Sequence, residues 1–170
     1  MNKLFKSFFG DKHLEEYCSG VFSDELDKLN YKNQVISNWK LNNSKLRVFG
    51  RVRTLTIETI ETEDERIKEG LGFLSNICED EILLVKGSDK FAYFGELMSR
   101  LSQEIGVSGA IIDGLTRDTF YTQNIDFPIF SKGYTPVDIK GRGRVDQKDV
   151  KINIEGVQVE PGDYIFGDND

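Results

Sequence analysis

Arg117 and Asp118 stand side by side in the chain, and together they could bind an anion and a cation. The guanidinium of an arginine forms paired hydrogen bonds with a carboxylate, and aspartate oxygens are ligands for hard divalent cations. The plain alternative is a surface ion pair, which contributes little to stability. On its own, the dipeptide is therefore weak evidence of a site.

The segment Gly95-Glu96-Leu97-Met98 offers a second kind of chemistry, because its pattern predicts the start of a helix. Glycine lets a ligand approach the backbone, and the first N–H groups of a helix have no partner within it. Such a helix terminus attracts a carboxylate or a phosphate. Glu96 could also serve only to complement the dipole of its own helix.

The elements around these residues are predicted to bring both segments to one place. Residues 81–86, with the apolar run 82–85, and residues 110–112 are typical of buried strands, and the helix that begins at Gly95 lies between them. Glu96 and Asp118 then fall at the ends of one strand–helix–strand unit, where ligand-binding loops concentrate. A pocket of this kind suits an α-keto acid beside Mg²⁺ or Mn²⁺, which would act as a Lewis acid on the keto oxygen.

The remaining pattern predicts one mixed α/β domain over residues 1–170, rich in strands. Asp113-Gly114 is predicted to turn the chain after the central strand, and Glu155-Gly156 to close a hairpin. The central helix is predicted to end at Gly106. Its predicted apolar stripe consists of Leu97, Leu101 and Ile105. The other predicted strands are residues 46–60, 128–130, 150–154, 157–159 and 164–166.

Two further helices are predicted near the chain start and before the first buried strand. Residues 13–30 look helical in two pieces that break at Ser19-Gly20, with Ser23 as an N-cap. Thr62 to Glu65 are predicted to form a capping box for a helix that ends near Leu74.

The rarer residues exclude several classes of site. His13 is the one histidine, so multi-histidine metal sites and most histidine-based triads are not available within one chain. Cys18 and Cys78 are too few for a disulfide framework or a thiolate zinc site. Their mixed apolar surroundings predict buried free thiols in a reducing compartment.

The net charge of -7 argues against a general nucleic-acid binder, which usually presents a basic surface. The basic segment Lys140 to Arg144 is interpreted as a solvated loop or a subunit contact, with contact to RNA or a phosphate as the alternative. No apolar run approaches the ~20 residues that span a bilayer. We therefore expect a cytoplasmic protein without a membrane partner.

The chain resembles the family that contains the regulator of ribonuclease activity A and the class II 4-hydroxy-4-methyl-2-oxoglutarate aldolases. The resemblance extends over about residues 14–170. The segments that carry it are Val21-Phe-Ser-Asp-Glu-Leu-Asp-Lys-Leu29, Gly95-Glu96-Leu97, Ile112-Asp-Gly114, Arg117-Asp118 with twenty residues between it and Glu96, Phe130-Ser-Lys-Gly133, Pro136 and Gly156-Val-Gln-Val-Glu-Pro-Gly-Asp163.

The resemblance implies a swivelling β/β/α-type fold, with central β-structure flanked by helices, and homotrimers or hexamers with sites between subunits. It also implies a lyase that cleaves a 4-hydroxy-2-oxo acid to pyruvate through a metal-stabilised enolate, with oxaloacetate decarboxylation as a side activity. The alternative that it offers is a non-catalytic oligomeric regulator, which binds a ribonuclease or another protein. The metal-binding aspartate tends to be lost among the regulators, and Asp118 is present here.

The site residues follow from the same resemblance. Arg117 would bind the 2-oxo-acid substrate, and the backbone at Gly95, Leu97 and Met98 would bind its carboxylate.

The divalent cation, Mg²⁺ or Mn²⁺, would be bound directly by Asp118. Glu96 and Asp24, an acid of the early helix, would hold the water molecules of the cation.

Two departures from the family pattern bear on activity. Tyr121 stands where many members have an acid, three places after Asp118. The sequence ends at Asp170, where relatives continue into a strand and a helix that carries an acid assisting proton transfer. We therefore expect the C-terminal strand and helix of the family to be lacking.

Overall fold

An eight-stranded mixed sheet forms the centre of the protein in a computed structural model, which describes residues 13–61 and 67–170. Helices flank the sheet, and a separate two-stranded hairpin packs against one face. The strands are β1 (Lys40–Leu41), β2 (Val48–Thr59), β3 (Glu81–Lys86), β4 (Ala92–Phe94), β5 (Gly109–Thr116), β6 (Ile129–Tyr134), β7 (Gly143–Lys148), β8 (Ile152–Ile154), β9 (Val157–Val159) and β10 (Tyr164–Gly167). The helices are α1 (Ser19–Lys28), α2 (Ile67–Leu74), α3 (Glu96–Glu104) and α4 (Thr119–Thr122), preceded by a 3₁₀ turn at Leu14–Glu16.

The central strands of the sheet are parallel. The order is β1-β6-β5-β3-β2-β10, with β4 also paired to β5 and β7 also paired to β2. Strands β2, β3, β5 and β6 pair in parallel, whereas β1, β7 and β10 pair antiparallel with their neighbours. In β3 and β5, Ile82 lies opposite Gly109 and Lys86 opposite Asp113, so the carboxyl ends of the two strands meet at one edge of the sheet.

Strand β3 is apolar from Ile82 to Val85 because both faces of the sheet are covered. Leu83 and Val85 belong to the cluster that includes residues of α2 and α3. Ile82 and Leu84 belong to the cluster on the other face, under the β8–β9 hairpin. A continuous apolar run of this kind is typical of a parallel strand between two layers.

Several predicted elements are confirmed. The long strand β2, the buried strand β3 and the β8–β9 hairpin lie where the sequence places them. Glu155 and Gly156 close the hairpin with φ angles of 52° and 93°, as two-residue hairpin turns require. Helix α2 ends at Leu74 as predicted, while the proposed capping box at 62–65 lies outside the described residues.

The break predicted at Ser19-Gly20 is wrong, because α1 begins at Ser19 and Ser23 lies inside it. The backbone N–H of Ser19 donates to Asp168 Oδ2 at 2.9 Å. This carboxylate, which comes from 149 residues away, satisfies an N–H of the first turn that the local sequence leaves without a partner.

The turn predicted at Asp113-Gly114 is also wrong, because β5 continues to Thr116. The backbone N–H of Leu115 donates to Ser88 O at 2.9 Å. A Cβ on Gly114 would lie 2.5 Å from the same oxygen, so this close passage requires a glycine. Beyond this point β5 pairs in parallel with β4.

The apolar stripe predicted for α3 is wrong at its first position. Leu97 is 72% exposed, whereas Met98, Leu101 and Ile105 pack against the core. The buried face therefore follows the i, i+3, i+7 spacing of an amphipathic helix and not i, i+4, i+8.

The prediction of buried thiols is wrong as well. Cys18 and Cys78 are both exposed, since one precedes α1 and the other lies in the loop before β3.

The segment Lys140 to Arg144 is only partly a loop, because Gly143 begins β7 and Arg144 forms an ion pair with Glu58 on β2. In the described residues, no helix has the length and apolar character needed to cross a bilayer.

Candidate functional site

Arg117 and Asp118 follow directly after β5, at the edge of the sheet where the parallel strands end. The backbone N–H of Arg117 donates to Phe94 O at 3.1 Å, which ties it to the end of β4. Asp118 adopts a left-handed conformation with φ 61° and ψ 38°, and α4 begins immediately after it. An aspartate tolerates this conformation better than most residues. The sharp change of direction turns the Asp118 carboxylate towards the start of α3.

Asp118 and the start of α3 are in direct contact. Asp118 Oδ2 accepts a hydrogen bond from the backbone N–H of Glu96 at 3.0 Å. Gly95 makes this approach possible, because a Cβ there would overlap Asp118 Oδ2 and lie 2.8 Å from Arg117 Cγ. The glycine predicted to admit a ligand therefore first admits the two charged side chains of the site.

The next N–H groups of α3 are available to a ligand. The backbone N–H groups of Leu97 and Met98 form no hydrogen bond with any described residue. Helix α3 is nine residues long, and the partial positive charge of its N-terminus lies beside Arg117. These groups can together bind a carboxylate.

Arg117 is held by two carboxylates. Its Nη1 lies 2.9 Å from Asp138 Oδ2, and its Nε lies 3.4 Å from Asp118 Oδ2. Asp138 is fixed in turn by its backbone, since its neighbours Val137 and Ile139 bond to Ala92 at the start of β4. The sequence interpretation missed Asp138, because no local spacing connects it with Arg117.

A cleft of about 260 Å³ brings most of the predicted residues together. Its walls are formed by Gly70, Leu71, Tyr93, Gly95, Leu97, Met98, Arg117, Asp118, Asp138, Ile139 and Lys140. The structure therefore gathers all four predicted substrate-binding residues and the predicted metal ligand in one place.

The side chains of Glu96 and Asp24 are not part of the cleft lining of their own chain. Glu96 Oε1 is 2.8 Å from Arg100 Nε, an ion pair along its own helix. Asp24 is exposed on α1, which packs beside the edge strand β10. The roles of these two acids remain predictions.

Tyr93 is a cleft residue that the sequence interpretation did not assign to the site. Its hydroxyl is buried and has no hydrogen-bond partner. Burial raises the pKa of Tyr93 well above its usual value, so the phenol is neutral at ordinary pH. Gly70 leaves the space that the hydroxyl occupies, because a Cβ there would lie 2.6 Å from it.

The donors present suit a hydrated hard cation. In the described part of the chain, no three His, Cys, Asp or Glu residues are grouped so that they could hold a metal by themselves. Asp118 Oδ1, however, forms no hydrogen bond with a described residue. Mg²⁺ is commonly bound by one or two carboxylates while it keeps several water molecules. A single free carboxylate oxygen therefore suits Mg²⁺ or Mn²⁺ better than a zinc ion that is bound by four protein ligands.

Similar proteins include some named as aldolases and one described as an RNA-processing inhibitor. A 4-hydroxy-4-methyl-2-oxoglutarate aldolase of Thermus thermophilus is 30% identical, and the match covers 74% of each chain. A protein of Halalkalibacterium halodurans, provisionally given the same aldolase name, is 30% identical over 87% of this chain and 67% of its own. The solved structure of the RNA-processing inhibitor RraA from Thermus thermophilus has a TM-score of 0.70 and 27% identity, with 87% of each chain covered.

The RraA-like family model, described as Aldolase/RraA, matches residues 20–170. The mixed sheet flanked by helices agrees with the solved RraA structure, so the predicted fold class and the predicted resemblance are confirmed. The chain belongs to the RraA-like family.

Proposed function

We propose that the protein is a divalent-cation-dependent lyase that cleaves a 4-hydroxy-2-oxo acid, of the 4-hydroxy-4-methyl-2-oxoglutarate type, to pyruvate. The observation that carries this proposal is the contact between Asp118 Oδ2 and the N–H of Glu96. It brings a carboxylate, the Arg117 guanidinium and the N–H groups of Leu97 and Met98 to one cleft. The aldolase names of the relatives at 30% identity support the same reaction class.

The chain's own groups bind the oxo-acid end of the substrate. The N–H groups of Leu97 and Met98 receive the substrate carboxylate, with Gly95 leaving room for it. Arg117 uses the guanidinium donors that Asp138 and Asp118 do not engage, and it neutralises the substrate charge.

Asp118 would hold the cation, and Glu96 and Asp24 would hold its water molecules, Asp24 from a neighbouring subunit of a homotrimer or hexamer. The cation, when bound, supplies a Lewis acid for the 2-oxo oxygen.

Cleavage breaks the bond between C3 and C4 of the substrate. The 4-hydroxyl loses its proton to water, C4 becomes a carbonyl carbon, and the electron pair of the broken bond remains on the three-carbon fragment, which is protonated to pyruvate. Oxaloacetate would lose CO₂ by the same electron movement, so its decarboxylation is an expected side activity.

A coupled assay for pyruvate release tests the proposal. The substrates are 4-hydroxy-4-methyl-2-oxoglutarate and oxaloacetate, each with Mg²⁺, Mn²⁺ or EDTA. Asp118→Ala should abolish cation-dependent release, and so should Asp118→Asn, which keeps a hydrogen-bond acceptor for Glu96. The control is Asp89→Ala, an exposed acid outside the cleft.

Full activity in Asp118→Asn would overturn the proposed role of Asp118. Absence of release from the folded wild-type protein would favour the second candidate, a non-catalytic oligomeric regulator. The likeness to the RNA-processing inhibitor RraA at 27% identity is the observation behind that candidate. Binding to a purified ribonuclease would then be the measurement to make.

A further inference from the structure

We propose that Tyr93 binds the second carboxylate of the substrate and thereby selects oxo diacids over simple oxo monoacids. The inference rests on the proposed function, because it assigns a partner to the far end of the same substrate. It concerns a residue on β4 that contacts neither Arg117 nor Asp118 through a hydrogen bond in the structure.

The Tyr93 hydroxyl has no partner in the protein. A buried hydroxyl without a partner costs stability, and nearly all such groups in folded proteins are satisfied by protein, water or ligand. Tyr93 Oη is buried without one, and Tyr93 is one of the residues that line the cleft. A phenylalanine would fill the same space without this cost, so the hydroxyl needs a function that the chain alone does not show.

The charged groups of the cleft also bear on the ligand of Tyr93. The phenol is neutral at ordinary pH and therefore offers a donor to an anion. Lys140 lines the same cleft and forms no ion pair with a described residue, whereas Asp118 and Asp138, which line it too, are paired with Arg117. A neutral donor and a cation without an ion pair in one cleft suit a carboxylate oxygen.

The cleft contains donors of two kinds. Leu97 and Met98 at the start of α3 offer N–H groups to one carboxylate, and Tyr93, which packs against Gly70, lines the same cleft. A substrate with carboxylates at both ends can use both kinds of donor, whereas pyruvate can use only one.

Binding measurements test this without requiring turnover. The probes are 2-oxoglutarate, which has two carboxylates but no 4-hydroxyl to initiate cleavage, and pyruvate, both titrated calorimetrically with Mg²⁺. In Tyr93→Phe we expect the affinity for 2-oxoglutarate to fall by about 10-fold or more and that for pyruvate by less than about twofold. The matched control is Tyr164→Phe, on β10 and outside the cleft, which should change neither affinity.

Thermal unfolding separates binding from a structural role. Because Tyr93→Phe removes an unpartnered buried hydroxyl, its melting temperature should equal or exceed that of the wild type. A lower melting temperature with equal losses for both ligands would overturn the proposal. So would a wild-type protein that binds 2-oxoglutarate no better than pyruvate. If the wild type releases no pyruvate but Tyr93→Phe selectively loses 2-oxoglutarate binding, the lyase proposal would be rejected. Tyr93 would still be a residue that binds diacids.

Discussion

Asp118 Oδ2 accepts a hydrogen bond from the backbone N–H of Glu96 at 3.0 Å, so one carboxylate joins the end of β5 to the start of α3. The bond satisfies the first free N–H of the helix and leaves those of Leu97 and Met98 for a ligand. The position of the proposed cation ligand and the position of the proposed carboxylate site are therefore fixed by the same contact.

Gly95→Ala should disrupt this contact. The new methyl group would overlap Asp118 Oδ2 and lie 2.8 Å from Arg117 Cγ, so the two side chains must move away from the start of α3. Since small displacements of binding groups reduce turnover strongly, we expect kcat/KM for pyruvate release to fall by about 10- to 100-fold. The measurement is steady-state kinetics, with circular dichroism to confirm that the variant folds.

Gly72→Ala is the matched control for that substitution. A Cβ at Gly72 would have no neighbour within 4 Å, and the residue lies in α2. Alanine should raise stability by about 0.5–1 kcal/mol through its better helix propensity and leave kcat/KM unchanged. Equal activity in both variants would show that the room at Gly95 is not needed for the site.

The sequence could predict the parts of this site that depend on short spacings. Gly95 at a helix start and Arg117-Asp118 after a buried strand are local signals, and a strand–helix–strand unit brings such segments to one edge of a sheet. Asp138 and Tyr93 could not be found in this way. Asp138 reaches Arg117 only because its backbone pairs with the start of β4, a contact between distant parts of the chain.

The errors in the predicted elements have the same origin. Ser19 starts a helix because Asp168 comes from the far end of the chain, and Asp113-Gly114 stays in a strand because the backbone at Ser88 bonds beside it. The helical periodicity alone predicts that Leu97 is a core residue, although it borders the cleft. The local sequence pattern indicates which secondary structures a segment favours. Where two of them are similar in free energy, contacts with residues distant in the sequence determine which one forms.

Asp138 should act on substrate binding through Arg117. In Asp138→Ala, Arg117 Nη1 loses its partner at 2.9 Å and the guanidinium is held by Asp118 alone. Because ion pairs at this exposure are worth about 0.2–1 kcal/mol, we expect KM to rise by no more than about fivefold, with kcat little changed. Asp138→Asn, which keeps an acceptor for the guanidinium, should fall between the wild type and alanine. A large fall in kcat with KM unchanged would contradict a positioning role.

Asp168 should stabilise the fold in a pH-dependent manner. Burial favours its neutral form, but hydrogen bonds from Ser19 and the backbone of Asp170 outweigh this effect and hold the pKa of Asp168 below its ordinary value of 3.8. A carboxyl with a lowered pKa contributes stability above the unfolded-state pKa, and the contribution is lost as the pH falls through the folded-state pKa. Asp168→Ala should therefore cost about 0.5–2 kcal/mol near neutral pH, the usual range for loss of a helix cap.

Urea unfolding of wild type and Asp168→Ala at a series of pH values measures this contribution. The difference in unfolding free energy should be constant from neutral pH down to about pH 5 and should shrink below about pH 4. Asp170→Ala is the control, since Asp170 bonds to Asp168 through its backbone N–H and that bond survives the substitution. A difference that stays constant through the acid range would mean that the Asp168 side chain acts by packing and not by its charge.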